Sequence, residues 1–358
     1  MKKVLIITYY WPPSGGPGVQ RWLRFVKHLR SFGWEPIVYI PENPSYVTRD
    51  ENLTKEIPND IEIISHPIVE PNRLFEMLSF SSKKRKKQFY DNQQQKGESK
   101  TWFQKILWYV RGNYFIPDAR FLWISPSFRF LSKYLSENKV DLIVSTGPPH
   151  SAHLIAQKLK GEFNLPWVAD FRDPWTSMDY LKEMDMSSSA MEKHVKMERD
   201  VIKGADKIVV VGRTMKNEFQ ENYGVTSEII HNGYNEVTEV QKVELDKKFS
   251  ICHIGSFLKN RNCNDLWQVL SEMAKKSPQF AKDLEIKLVG QLAPNVLASL
   301  TQYELIEFAN MPGYVPFAET QQYLYGSQVL LLPIDRIENA EFVLTGKIFE
   351  YLKSNRPI

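Results

Sequence analysis

Short aliphatic, β-branched runs alternate with segments of helical period from one end of this chain to the other, and no other feature constrains its fold as strongly. A strand, a crossover helix and a second strand favour parallel pairing, because the helix must return the chain to the edge from which it started. KVLIITYY (3–10), EPIVYI (35–40), IEIISH (61–66), VDLIVSTG (140–147), LPWVADF (165–171), KIVVVG (207–212) and EIIHNGY (228–234) read as strands of a first domain. FSICHIGSF (249–257), LEIKLVG (284–290) and QVLLLPI (328–334) read as strands of a second. Helices are expected at about 19–31, 126–137, 189–203 and 265–275. In the first of these, Trp22, Leu23, Val26 and Leu29 fall at core-facing spacing, and Gly33 stands just past its end. The expected fold class is α/β, with two Rossmann-like doubly wound domains facing each other across a cleft. The charged stretch 236–248 has no core pattern and is the expected linker, giving domains at 1–236 and 237–358.

Composition narrows the function. With 358 residues the chain is too long for one ordinary core, and at 42% apolar it has ample material for two. A net charge of +4 gives no reason to expect a nucleic-acid partner. Cys252 and Cys263 lie eleven apart with no CxxC, which argues against a zinc site or a disulfide framework and fits a reducing cytoplasm. No stretch approaches 18 apolar residues, so no membrane span is expected. The segment 80–123 stands apart. It begins as SSKKRKKQFYDNQQQKGESK (81–100), polar and biased, and continues into an aromatic run where Trp102, Phe103, Ile106, Leu107 and Val110 share one helical face. The basic run reads as a solvated loop. Together with the aromatic helix it is also suited to resting on an anionic membrane.

In doubly wound folds ligands bind beyond the carboxyl ends of the strands, so the candidate residues are those that follow each strand. Gly15, Gly16 and Gly18 in WPPSGGPG (11–18) are either turn glycines or small residues that let a phosphate or an acceptor approach the backbone. A dinucleotide fingerprint would need a small residue where Arg21 stands, although Glu42 could serve as its ribose acid. His150 is either a loop residue or a contact to the transferred sugar or the acceptor. Asp170, Arg172 and Asp173 place three charges directly after an apolar strand, which is costly if they are buried unpaired. They form a structural ion pair, or Asp170 or Asp173 contacts an acceptor hydroxyl. Near the end of the chain, Thr345 and Gly346 open a helix with Lys347, and Glu350 follows one turn later. A lysine beside helix-start N–H groups suits a diphosphate, and a carboxylate one turn on suits a ribose diol.

These pieces together resemble the GT-B glycosyltransferases, and among them the large retaining family 4 in its bacterial surface-polysaccharide branch. WPPSGGPG resembles the glycine-rich acceptor-side loop, STGPPHSAH (145–153) with PWVADFRDPW (166–175) the polysaccharide branch, and IIHNGY (229–234) the strand end near the hinge. HIGSF (253–257), KNRN (259–262) and LTGKIFEYL (344–352) resemble the donor half. The resemblance implies transfer of a sugar from a nucleotide diphosphate sugar to a glycan or lipid-linked acceptor, with retained configuration, no metal and no cofactor. It implies a donor site of Gly255, Lys259, Arg261, Lys347, Glu350 and Glu341. Here Ser256 follows Gly255, so Arg261 would stand for the second diphosphate cation, and Glu341 neighbours the position of the family's first glutamate. It implies catalytic roles among Asp170, Asp173 and His150, with Gly15, Gly16 and Arg172 on the acceptor side. The chain ends eight residues after Glu350, so a truncated second domain is expected. The rival readings are an inactive or incomplete GT-B-like binding chain, and an NAD(P)-dependent or nucleotide-sugar-modifying Rossmann enzyme.

Overall fold

A computed structural model describes residues 1–46, 49–71, 102–178, 181, 184–234, 243–334 and 346–358. The described residues divide into two compact units, one running up to residue 232 and one from residue 233. The expected segment 81–100, most of the expected linker and Glu341 lie outside the described residues.

In the first unit β1 (Lys2–Ile7) leads to α1 (Pro17–Leu29), then β2 (Trp34–Pro41) and β3 (Glu62–His66). Two helices follow, α2 (Trp102–Tyr114) and α3 (Phe121–Glu137), then β4 (Leu142–Gly147), α4 (Ser151–Phe163) and β5 (Trp167–Phe171). The unit closes with α5 (Ser188–Gly204), β6 (Lys207–Val210), α6 (Arg213–Tyr223) and β7 (Glu228–Ile229). The seven strands are ordered β3-β2-β1-β4-β5-β6-β7 and all pair in parallel. The order reverses between β1 and β4, which is where such a sheet opens a crevice at its carboxyl end. Both faces are covered. Val4, Ile6, Val19, Trp22, Leu23 and Val26 pack on one face, and Leu5, Ile7, Trp123, Ile143, Ile155 and Trp167 on the other. Alternate residues of one strand feeding opposite cores is the consequence of the two-residue pleat.

The second unit repeats the plan at smaller size. β8 (Phe249–Ile254), α7 (Asn264–Lys276), α8 (Pro278–Asp283), β9 (Leu284–Val289), α9 (Pro294–Gln302), β10 (Ala309–Gly313), α10 (Phe317–Gly326), β11 (Val329–Leu330) and α11 (Lys347–Lys353) follow in order. Its strands are ordered β10-β9-β8-β11, again parallel, with the reversal between β8 and β11. The core is built around Ile251, Trp267, Ile286, Leu288 and Leu300.

Three elements differ from expectation. The strands read at 228–234 and 328–334 are each two residues long in the sheet, because Ile230 and Leu331 make one more backbone bond, to Val210 and Cys252, and the chain then leaves the edge. Helix α3 starts at Phe121 rather than near Pro126, from a turn in which Asp118 accepts a hydrogen bond from the Arg120 amide at 2.8 Å.

Candidate functional site

Of the charges at the end of β5, Asp170 is held by α1. The Asp170 carboxylate is 1% exposed and accepts four hydrogen bonds. Oδ1 takes Arg21 Nη2 at 2.8 Å, while Oδ2 takes Arg21 Nε at 3.2 Å, Trp22 Nε1 at 2.8 Å and Thr146 Oγ1 at 2.8 Å. Burial alone would raise its pKa, but the Arg21 charge and these donors outweigh it and hold Asp170 below the usual carboxylate range. Arg21 is equally buried and uses its remaining nitrogen on Ile230 O at 2.8 Å and Asn232 Oδ1 at 3.2 Å. This one ion pair therefore ties α1 to β5, to the end of β4 and to the segment that follows β7.

Arg172, two residues on, is handled differently. Among the described residues it forms no ion pair; its guanidinium donates to Pro148 O and lies 5.7 Å above the Tyr10 ring. It also lies against the bare Cα of Gly18, in the first turn of α1, where a Cβ would collide with Nη1. Desolvation pushes its pKa down despite the nearby Asp173 and Asp170 charges. Helix α1 has no acidic residue in its first turn and no capping side chain, so Arg172 lies at an uncompensated positive helix end. Gly16 precedes that helix with φ 101° and is exposed, and Gly15 is half-buried beside it. Asp173 is exposed and makes no hydrogen bond among the described residues.

His150 and His153 flank Gly147 on the other side. His150 stacks on Trp175 with centroids 4.4 Å apart and planes 3° apart, and His153 stacks on Phe171 at 4.5 Å. Ser145 Oγ accepts from Trp167 Nε1 at 2.8 Å, and among the described residues the one acceptor for its hydroxyl is His153 Nδ1, also at 2.8 Å, so the hydroxyl donates there. The proton of neutral His153 is thereby placed on Nε2. Neither that atom nor His150 Nδ1 has a hydrogen-bond partner, and both face Gly147. Burial lowers the pKa of both rings, that of His153 to about 3, so both are neutral at pH 7. Trp175 is fixed in turn by donating to His194 Nδ1 at 3.1 Å, and Glu198 accepts from the amide of Thr176 at 3.3 Å, from its hydroxyl, and from the Tyr223 hydroxyl at 2.8 Å. The loop that presents Arg172 and Asp173 is thus fastened to α5 and α6.

In the second unit the corresponding corner lies at the ends of β8 and β9. Gly255 has φ +109°, and a Cβ there would stand 2.8 Å from both Cε and Nζ of Lys347. Gly290 has φ +121° and packs so closely that a Cβ would stand 2.5 Å from Gly255 O. The lysine ammonium therefore lies across bare backbone at the carboxyl end of β8. Its Nζ is 3.3 Å from His253 Nε2. Helix α11 is pinned to β8 by buried Tyr351, whose hydroxyl accepts from the Ile254 amide at 3.0 Å. Glu350 is half-buried in the first turn of that helix. Arg261 is half-buried in a short 3-10 turn, Lys259–Arg261, and its charge reaches His253; Lys259 in the same turn is exposed.

The structure brings Gly255, Lys347 and Arg261 to one corner, and Gly16, Arg172 and His150 to the end of the β1, β4 and β5 strands. Sequence reasoning missed Arg21, Trp22 and Thr146. The available signal was an arginine on the apolar face of α1, a position that demands a buried carboxylate. It also missed Glu70, 3% exposed, which accepts from Tyr9 at 2.7 Å and the Ser45 amide at 2.6 Å and pairs with Arg120 beyond the end of β1. Among the described residues no cluster of His, Cys, Asp or Glu side chains is arranged to hold a metal ion.

Residues 88–237 match the family model described as Glycosyltransferase Family 4. That match covers somewhat less than half of the chain. Solved structures extend the likeness over both units. An S. aureus TarM variant in complex with Fondaparinux, alpha-GlcNAc-glycerol and UDP aligns over 100% of this chain and 85% of its own, with a TM-score of 0.58 at 10% identity. Anabaena HepE in complex with UDP and glucose aligns over 100% and 80%, with a TM-score of 0.55 at 12% identity. WaaG, a glycosyltransferase involved in lipopolysaccharide biosynthesis, aligns over 99% and 80%, with a TM-score of 0.53 at 13% identity. At such identities the likeness is one of fold, and the fold is GT-B. No curated protein sequence matches the chain. With this partial family match on a GT-B fold, the chain is a glycosyltransferase. The family 4 match contains β4, α4, β5, α5, β6, α6 and β7, and so holds His150, Asp170, Arg172 and Asp173, while Arg21 and Trp22, which hold Asp170, lie before it.

Proposed function

We propose that this glycosyltransferase moves a sugar from a nucleotide diphosphate sugar to a glycan or lipid-linked acceptor, with retention of configuration and without a metal ion, in cell-surface polysaccharide synthesis. The observation that carries the donor assignment is the Lys347 ammonium laid over the bare Cα of Gly255. As the glycosidic bond breaks, charge grows on the leaving diphosphate. Fixed cations and backbone dipoles stabilise it without having to reorganise, and Lys347 with Arg261 supplies the cations here. Lys259 is placed to join them as an exposed third charge. Glu350 takes the ribose diol, and Glu341 assists it.

On the acceptor side, Arg172 and the first turn of α1 with Gly15 and Gly16 receive an anionic or polar acceptor group. His150 and Asp173 contact sugar or acceptor hydroxyls. Asp170 acts through Arg21 as a positioning residue, because all four of its hydrogen bonds are made within the protein. That the relatives HepE and TarM were solved with UDP supports a nucleoside diphosphate leaving group. The place of action is the cytoplasmic face of a membrane. The basic run 83–87 and the exposed Ile106 and Tyr109 of α2 support that placement. No described helix is long and apolar enough to cross a membrane.

The test is transfer itself. The purified chain, given radiolabelled UDP-, GDP- or ADP-sugars and a membrane lipid extract, should label an acceptor equally well with and without EDTA. Labelling abolished by EDTA would refute metal independence. Release of free sugar with no labelled acceptor from any donor would refute the acceptor class.

A further inference from the structure

We propose that His253 is a positioning residue for the donor diphosphate, its imidazole holding the Lys347 ammonium over Gly255. This rests on the reading of that corner as the donor site. A lysine ends in a freely turning ammonium on a four-carbon stem, and fixing it costs side-chain entropy that some neighbour must offset. His253 is such a neighbour. It lies inside β8, is fully buried, and its Nδ1–H donates to Leu331 O at 3.0 Å. That bond fixes the tautomer and turns the Nε2 lone pair toward Lys347 Nζ, 3.3 Å away. Phe257 packs against the ring at 4.7 Å between centroids and limits its rotation.

The chemistry of the acceptor matters as much as its place. An aspartate or glutamate here would also orient the lysine, but it would cancel the charge that a diphosphate needs. A neutral imidazole accepts one ammonium N–H without cancelling the positive charge. The surroundings keep the ring neutral. Burial and the Lys347 charge, with Arg261 adding to them, outweigh the hydrogen bonds to the Leu331 and Ser256 backbone and bring His253 down to about 4. The residue is thus suited to hold a cation without competing for the anion.

The experiment uses the full chain with the tightest-binding member of UDP, GDP, ADP and TDP and with the matching monophosphate, which lacks the outer phosphate. Affinities are measured by calorimetry for the wild type, His253→Phe and His253→Gln. His253→Phe keeps a ring but removes the acceptor; glutamine puts an oxygen close to where Nε2 stood. The phenylalanine variant should bind the diphosphate about tenfold more weakly, the scale of one charge-assisted hydrogen bond, with monophosphate affinity unchanged. Glutamine should restore the diphosphate to within about threefold on the same scale. Wild-type diphosphate affinity in His253→Phe, or an equal loss of both nucleotides, overturns the proposal. A wild type that binds no diphosphate overturns the donor-site reading itself, and this proposal with it. One further measurement leaves His253 intact, in case the phenylalanine variant does not fold. The imidazole nitrogen-15 shift of Nε2 should move in Lys347→Met, and an unmoved signal contradicts the contact.

Discussion

Replacing Asp170 by asparagine removes the anion at the centre of the first unit while keeping its shape. In the native protein two guanidinium nitrogens, one indole N–H and one hydroxyl converge on this carboxylate, and both it and Arg21 are shielded from water. The amide cannot satisfy four donors. In either orientation its NH2 faces at least one N–H, and the better orientation still sets it against Arg21 Nη2. The Arg21 charge then stays buried beside Ile230 O and Asn232 with no counter-ion. Breaking a buried pair from one side costs about 3–5 kcal/mol, a large share of the stability of an ordinary domain. Thr146→Val, which removes one of the four donors, should cost only about 1 kcal/mol. Arg21→Met combined with Asp170→Asn should recover part of the loss, because no unpaired cation remains. The assay is urea unfolding followed by the fluorescence of the unit's buried tryptophans, Trp11, Trp22, Trp123, Trp167 and Trp175. The sign with pH is also set. Because the folded pKa is depressed, the stabilisation is present above the unfolded value of about 4 and is lost as pH falls through the folded one. An Asp170→Asn protein that is within about 1 kcal/mol of wild type yet has lost turnover would refute this reasoning, because the carboxylate would then be acting on substrate.

Gly18→Ala should displace the Arg172 guanidinium, a flexible group, so turnover should fall about tenfold or more while the melting temperature changes little; equal turnover would remove Arg172 from the site. His153 is buried neutral, so protonation of the unfolded chain below about pH 6.5 costs the fold about 2 kcal/mol between pH 7 and pH 5. In His153→Asn, whose side-chain oxygen can still take the Ser145 hydroxyl, the difference in stability between pH 7 and pH 5 should shrink by about that amount, and an unchanged difference would contradict the assigned state. Glu350→Ala should weaken nucleoside diphosphate binding by about 1–3 kcal/mol in calorimetry, with no loss for inorganic diphosphate, which has no ribose.

The strand positions were legible because hydrophobic period and strand length are local properties. The run at 3–10 has the continuous apolar stretch Val4–Ile7, as a strand buried on both faces must, and it leads into a helix. The two-residue edge strands β7 and β11 were overread for the same reason. An apolar run does not reveal where its hydrogen bonds to the neighbouring strand stop. At the corner proposed to take the donor, Gly255 and Lys347 could be named, since a glycine at a strand end and a lysine opening a helix are local signals. His253 could not, because its role depends on Lys347, ninety-four positions further on, arriving at its Nε2. Arg21 and Asp170 show the same limit from the other side. The sequence displayed two charges that had to be compensated, but only the packing of α1 across the ends of β4 and β5 showed that they compensate each other.

The central claim is most directly tested by thermal stabilisation of this 358-residue chain with UDP, GDP, ADP, TDP, CMP and NAD, each with and without EDTA. One nucleoside diphosphate should raise the melting temperature, equally with and without EDTA, and at about 100 times its dissociation constant the stabilisation should be about 2.7 kcal/mol. A response to NAD alone, or a diphosphate response that EDTA abolishes, would contradict a metal-independent nucleotide-sugar site.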